Sequence, residues 1–147
     1  MYSLVFESLE DGSKIEINLY SHYTCICGDS GEGKTHFVST IEDGINSEEI
    51  RVYVKDSNGI REDISFVVAN AATIGTVIEV ERLQVILIDS IEMLREDLIR
   101  SIDRCKQLIV AVTRSGSIIS KCGKGIYSVV RSSEGTFKIE NYNHVKN

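Results

Sequence analysis

Hydrophobic and polar positions divide the chain into short runs of different period. Tyr2 to Phe6 and Lys14 to Leu19 alternate apolar with polar residues, and Glu10-Asp11-Gly12-Ser13 joins them. That pattern predicts a β-hairpin, with Asp-Gly suited to the left-handed dihedrals of a tight turn. Tyr23 to Cys27 predicts a short apolar strand running straight into a glycine-rich loop. From Lys34 to Asp43 the spacing of Phe37, Val38 and Ile41 predicts one buried helical face, with Gly44 as its C-cap. Arg51 to Lys55 predicts a strand closed by the turn Ser57-Asn58-Gly59.

Residues 64–80 are rich in Val, Ile and Ala, and we assign a helix around 67–79. Val85 to Ile88 is wholly apolar, as expected of a parallel strand covered on both faces. Ile91, Leu94, Leu98 and Ile102 predict an amphipathic helix beginning at Ser90. Gln107 to Val112 predicts another buried strand. Ile126 to Arg131 and Thr136 to Tyr142 alternate around Ser132-Ser133-Glu134-Gly135, predicting a second hairpin. Hairpin, strand–helix repeats and hairpin together argue for one α/β domain, residues 1–147, built on a mostly parallel sheet.

Composition narrows the class without changing that expectation. The 147 residues are 42% hydrophobic and 26% charged, ordinary for a globular chain, and no apolar run approaches the ~20 residues that span a bilayer. The alternation of Met1 to Leu9, with Glu7 within it, does not resemble a signal peptide, so a cytoplasmic location and no membrane partner are expected. Cys25, Cys27, Cys105 and Cys122 have no histidine at metal-ligand spacing beside them, and buried, reduced thiols are expected rather than a zinc site. The net charge of −6 conceals an asymmetry. Residues 1–94 carry 6 Lys/Arg against 17 Asp/Glu, whereas residues 95–147 carry 10 against 5. A uniformly basic nucleic-acid binder is excluded, and a basic C-terminal face remains open.

The chemistry concentrates at Gly28-Asp29-Ser30-Gly31-Glu32-Gly33-Lys34-Thr35, a complete G-x-x-x-x-G-K-[ST] pattern. Glycines let the backbone turn its N–H groups onto a phosphate, and the helix that follows presents its positive end. Lys34 would place a charge on the β and γ phosphates, and Thr35 a hydroxyl on Mg²⁺. A predicted strand before the loop and an amphipathic helix after it supply the context that separates this pattern from an ordinary strand-to-helix turn.

On these residues the chain resembles a P-loop NTPase, the glycine loop being its Walker A motif. Val85-Ile86-Leu87-Ile88-Asp89 is similar to Walker B, whose aspartate faces the magnesium. Leu108 to Val112, ending in Thr113-Arg114-Ser115, is similar to the γ-phosphate-sensing strand of the AAA+, RecA-like and ABC-type group. The resemblance implies a three-layer fold with a mostly parallel central sheet and flanking N- and C-terminal hairpins. It also implies a strand inserted between the Walker A and Walker B strands, a role for which Arg51–Lys55 is available. His36 echoes helicase-loader and initiator ATPases.

Departures from the family bear on hydrolysis. Ser90 follows Asp89 where the group usually has a water-polarising glutamate, and no ABC signature, AAA+ lid or guanine-reading Asn-Lys-x-Asp is present. Glu92 is the available substitute; as an acid in the first turn of a helix it is also, and more simply, accounted for by the helix dipole. Asp89 is a magnesium ligand or a helix cap. Arg114 either reaches a γ-phosphate, in cis or as a finger into a neighbour, or is a solvated loop residue. Arg100, Arg104, Lys106, Arg114, Lys121, Lys124 and Arg131 form either a surface for an acidic partner or nucleic acid, or a solvated face.

The expected cofactors are therefore ATP and Mg²⁺. Gly28 to His36 form the binding loop, Thr35 and Asp89 hold the metal, and Lys34, Glu92, Thr113 and Arg114 act on the phosphates. The leading expectation is an ATPase of slow or partner-stimulated turnover, by a protein partner or by self-association. A regulatory nucleotide-holding module is the alternative. A small-molecule kinase comes third, since Ser115–Gly125 is the one candidate lid.

Overall fold

The structure is a computed structural model; it describes residues 2–19, 23–27, 34–79, 82–113, 126–131 and 137–141, with side chains described up to Thr113 except at Tyr23 and residues 34–36. Strands β1 (Tyr2–Ser8) and β2 (Lys14–Leu19) form the expected hairpin, with Glu7 opposite Lys14. Its turn is closed by Asp11, whose Oδ1 accepts from the Ser13 amide at 2.9 Å and the Ser13 hydroxyl at 2.7 Å, while Gly12 takes φ 74°. The bonds from Ser13, with a further one from Ser8, lower the pKa of the exposed Asp11 below its ordinary value. Their help to the turn is present above the usual carboxylate pKa and is lost as pH falls through the lowered one.

The hairpin does not flank a central sheet. β1 also pairs antiparallel with β4 (Ile50–Lys55), which pairs with β5 (Arg61–Asp63), giving a separate four-stranded sheet in the order β2-β1-β4-β5. A second sheet runs β10-β9-β3-β8-β7-β6, from β3 (Tyr23–Cys27), β6 (Ser65–Ala69), β7 (Gln84–Ile88), β8 (Leu108–Thr113), β9 (Ile126–Arg131) and β10 (Phe137–Asn141). All its pairings are parallel except β9 with β10.

This overturns the three-layer, helix-bearing P-loop NTPase fold. Only three α-helices occur among the described residues: α1 (Lys34–Asn46), α2 (Ile74–Val77) and α3 (Glu96–Arg104). The physical reason lies in the connections. Residues 50–63 are drawn into the antiparallel sheet by β1, and among its described residues the crossover from β6 to β7 holds only the four-residue helix α2. Arg51–Lys55 is therefore not the strand inserted beside β3; β8 lies between β3 and β7. The helix expected at 67–79 is instead strand β6 followed by a turn and α2. Val-Val-Ala supports either period, and pairing of Phe66 with Val85 and Val68 with Leu87 decides for the strand. The helix expected from Ser90 is a 3₁₀ turn, Ile91–Met93, then α3.

Two hydrophobic clusters hold the sheets. One joins Leu4, Phe6 and Ile17 of the antiparallel sheet to Phe37, Val38 and Ile41 of α1 and to Val85, Leu87, Val110 and Val112. Phe6 is its hinge, meeting Phe37 and Phe66 edge-on with ring centroids 6.4 and 5.4 Å apart. The other cluster lies on the opposite face of the parallel sheet, where Ile86, Ile88, Ile109 and Ala111 meet Ile74, Ile91, Leu94 and Ile102. Each fully buried Ile or Leu contributes roughly 1.5–3 kcal/mol. At the N-terminal ends of β7 and β8, Gln107 Oε1 accepts from the Gln84 amide at 2.8 Å and Gln107 Nε2 donates to the Arg82 carbonyl at 3.1 Å, setting strand entry. Cys25 is disulfide-bonded, against the expectation of reduced thiols, whereas neither Cys27 nor Cys105 is in a disulfide. No helix among the described residues is long and apolar enough to cross a membrane.

Helix α1 passes through Gly44 and does not end there. The Glu49 amide donates to the Gly44 carbonyl at 2.8 Å and the Glu48 amide to Ile45 at 3.1 Å, closing a Schellman turn with Glu48 at φ 60°. Gly44 is needed for a different reason: a Cβ there would collide with the Ile50 side chain. Two neighbouring substitutions should thus act in opposite directions in denaturant titrations. Glu48→Gly should stabilise by about 0.5–1 kcal/mol, since an L-residue is strained in the left-handed region. Gly44→Ala should destabilise by about 1–2 kcal/mol net, an overpacking cost of about 2–3 kcal/mol exceeding the roughly 1 kcal/mol gained in helix propensity.

Candidate functional site

The C-terminal edge of the parallel sheet gathers the polar ends of its apolar strands. Cys27, the last residue of β3, is paired with Thr113, the last of β8, and Ile88 of β7 is paired with Ala111. The chain leaves β3 toward the glycine loop and re-enters as α1 at Lys34, so the loop's two ends, Thr113 and Asp89 share one edge. Parallel α/β sheets bind ligands outside this end of their strands.

Strain and burial together aim Glu92 at that edge. Ser90 takes φ 54° and ψ 52°, a left-handed residue that turns the chain sharply after Asp89. Ile91, fully buried in the second cluster, anchors the turn, and the Met93 amide closes it on the Ser90 carbonyl at 2.8 Å. Glu92 is thereby directed back over the sheet, where its Oε2 accepts a hydrogen bond from Thr113 Oγ1 at 2.9 Å. Thr113 is only 1% exposed while Glu92 is half-buried, so the bond is partly shielded from water. A role confined to the helix dipole does not account for this contact across 21 residues of sequence.

Asp89 is half-buried one residue beyond β7. Its amide donates to the Ala69 carbonyl at 3.0 Å, extending the pairing with β6, and the Ser90 hydroxyl donates to its Oδ1 at a long 3.3 Å. Its carboxylate caps no helix among the described residues: Ser90 precedes the 3₁₀ turn and Arg95 precedes α3. Among the described residues it has no cationic partner. It is a single carboxylate: no group of three or more metal-ligating side chains occurs among the described residues.

Beside Asp89 a cleft of about 310 Å³ is lined by Asn70, Ala71, Ala72, Ser90 and Met93. Sequence reasoning missed this wall because it read Asn70 as helical. An Asn closing a β-branched run was the available signal: Asn70 Oδ1 accepts from the Ala72 amide at 2.9 Å and so turns the chain at the end of β6.

Gly28, Asp29, Ser30, Gly31, Glu32, Gly33 and Arg114 lie outside the described residues. Lys34, Thr35 and His36 form the first turn of α1, their side chains outside the description. Of the basic cluster, Arg100 faces Glu96 at 3.8 Å across one helical turn, and Arg104 and Lys106 are exposed; Lys121, Lys124 and the Arg131 side chain lie outside the described residues.

No protein-family model matches the chain, and no curated protein is significantly similar to it.

Proposed function

We propose that the chain binds Mg-ATP at the C-terminal edge of β3, β8 and β7 and hydrolyses it slowly. The observation that carries this reading is the Thr113–Glu92 hydrogen bond, which holds a carboxylate at the C-terminal end of β8, next to β3, the strand that the G-x-x-x-x-G-K-T sequence follows. Backbone amides of residues 28–33 and Lys34 would hold the phosphates. Thr35 and Asp89 would share one Mg²⁺, which when bound neutralises charge on the phosphate oxygens. Thr113 donates a hydrogen bond to Glu92 Oε2, and the Glu92 carboxylate would accept a proton from a water that attacks the γ-phosphate, the role that Ser90 has no carboxylate to fill.

A nucleotide-holding regulatory module is the second reading, favoured by Ser90 at the usual glutamate position. One experiment separates the two. Purified chain incubated with Mg-ATP should release phosphate on the order of 10²-fold more slowly than a typical enzyme turnover of about 10 s⁻¹. Retained, uncleaved ATP would favour the regulator, and several turnovers per second unaffected by Glu92→Gln would overturn the role of Glu92.

The variants have distinct signatures. Glu92→Gln should lower the residual rate by about 10²-fold or more with little change in Mg-ATP affinity. Thr113→Val keeps the shape but loses the orienting bond, and should lower kcat about tenfold with KM nearly unchanged. Calorimetric titration should show Lys34→Ala folded yet stripped of most triphosphate affinity. In the same assay Asp89→Asn should weaken Mg-ATP binding much more than metal-free ATP binding; equal losses would mark Asp89 as structural.

A further inference from the structure

Helix α1 has a second feature at its far end, ten residues and so roughly 15 Å along its axis from Lys34. Between its C-terminal half and residues of β1, β2 and the start of β4 lies an open cavity of about 420 Å³. That volume lies within the range of small-ligand sites. The floor is apolar: Phe6, Phe37 and Ile41 are buried, and Ile15 and Ile50 are half-buried. The rim carries Glu10, Asp43 and Glu49, all exposed.

Charge decides what chemistry this shape accepts. None of the three carboxylates makes an ion pair or a side-chain hydrogen bond among the described residues, and no Lys, Arg or His is among the described lining residues. The last turn of α1 has no basic residue, so the negative end of its dipole adds to the same potential. An anion is repelled here. A bare metal ion gains nothing from a floor of Phe and Ile, and no cluster of metal-ligating side chains occurs among the described residues.

We infer that this cavity is a binding site for a small organic cation, a protonated amine carried on an aliphatic or aromatic body. The body covers Phe6, Phe37 and Ile41, and the ammonium sits between Asp43 and Glu49 at the rim. The site is independent of nucleotide and is tested without it.

The probe is 4-phenylbutylamine, compared with 4-phenylbutanol and 4-phenylbutyrate, followed through the backbone amide NMR signals of Gly44, Ser47 and Glu49. The amine should saturate with a Kd of about 1 mM or tighter, the alcohol more weakly, and the carboxylate at least about tenfold more weakly. The combined change Asp43→Asn and Glu49→Gln should weaken the amine about tenfold. Thr40 lies exposed on α1 at the cavity edge, so Thr40→Trp should occlude it in a folded protein and abolish binding; Thr40→Arg adds a repelling charge and should do the same. No saturation by about 10 mM amine, equal binding of all three probes, or amine binding unchanged in both Thr40 variants would overturn the site.

Discussion

Burial of β7 and β8 on both faces is the constraint on which the rest of the structure depends. Every residue of Gln84–Ile88 is buried, as are Ile109–Thr113, and side chains alternate between the two hydrophobic clusters. Such strands have no solvent face, so their polar residues emerge only where the apolar run stops. For β7 that is Asp89 and for β8 it is Thr113, and parallel pairing brings both stops to the same edge. Gln107 and Gln84 matter for the same reason: their buried hydrogen bonds fix where the two strands begin, and hence where they end. The polar edge is a by-product of how the core is packed.

The two faces of that sheet are covered differently, and the difference divides the molecule. On one face short helices and a 3₁₀ turn suffice, and the left-handed Ser90 converts their tight connection into the placement of Glu92. On the other face α1 and the antiparallel sheet share one cluster, with Phe6 joining them. Helix α1 therefore begins where the glycine-rich segment ends and finishes at the carboxylate-rimmed cavity. Gly44 lets it approach Ile50 closely enough to close the cluster, and its Schellman turn delivers Glu49 to the cavity rim.

Local pattern made several elements legible. The β1–β2 hairpin, the strand at Val85–Ile88 and the turn at Gly59 follow from alternation, continuous apolarity and turn chemistry. Sheet membership was not legible. Arg51–Lys55 reads as a strand in any context, and only its pairing with β1 assigns it to a second sheet, which is why the expected three-layer fold fails. Ser65–Ala69 was misread because an apolar run of that length suits either period. Gly44 looked like a cap because its contact with Ile50 is tertiary. The candidate site was legible by residue type, in Asp89, Glu92 and Thr113, but not by geometry: a left-handed serine and a bond spanning 21 residues leave no local trace.

The central claim is that nucleotide and metal sit at the C-terminal edge of β3, β8 and β7. Paramagnetic broadening by Mn-ATP tests it directly, read on side-chain methyl NMR signals, because the effect falls steeply with distance from the ion. Strong broadening is expected at the methyls of Ile88, Ile91 and Thr113, with Ile17 and Val54 of the antiparallel sheet sharp at the same Mn-ATP concentration. Ile88, Ile91 and Thr113 remaining sharp at saturating Mn-ATP, or broadening centred on Ile17 and Val54, would contradict a nucleotide site at this edge.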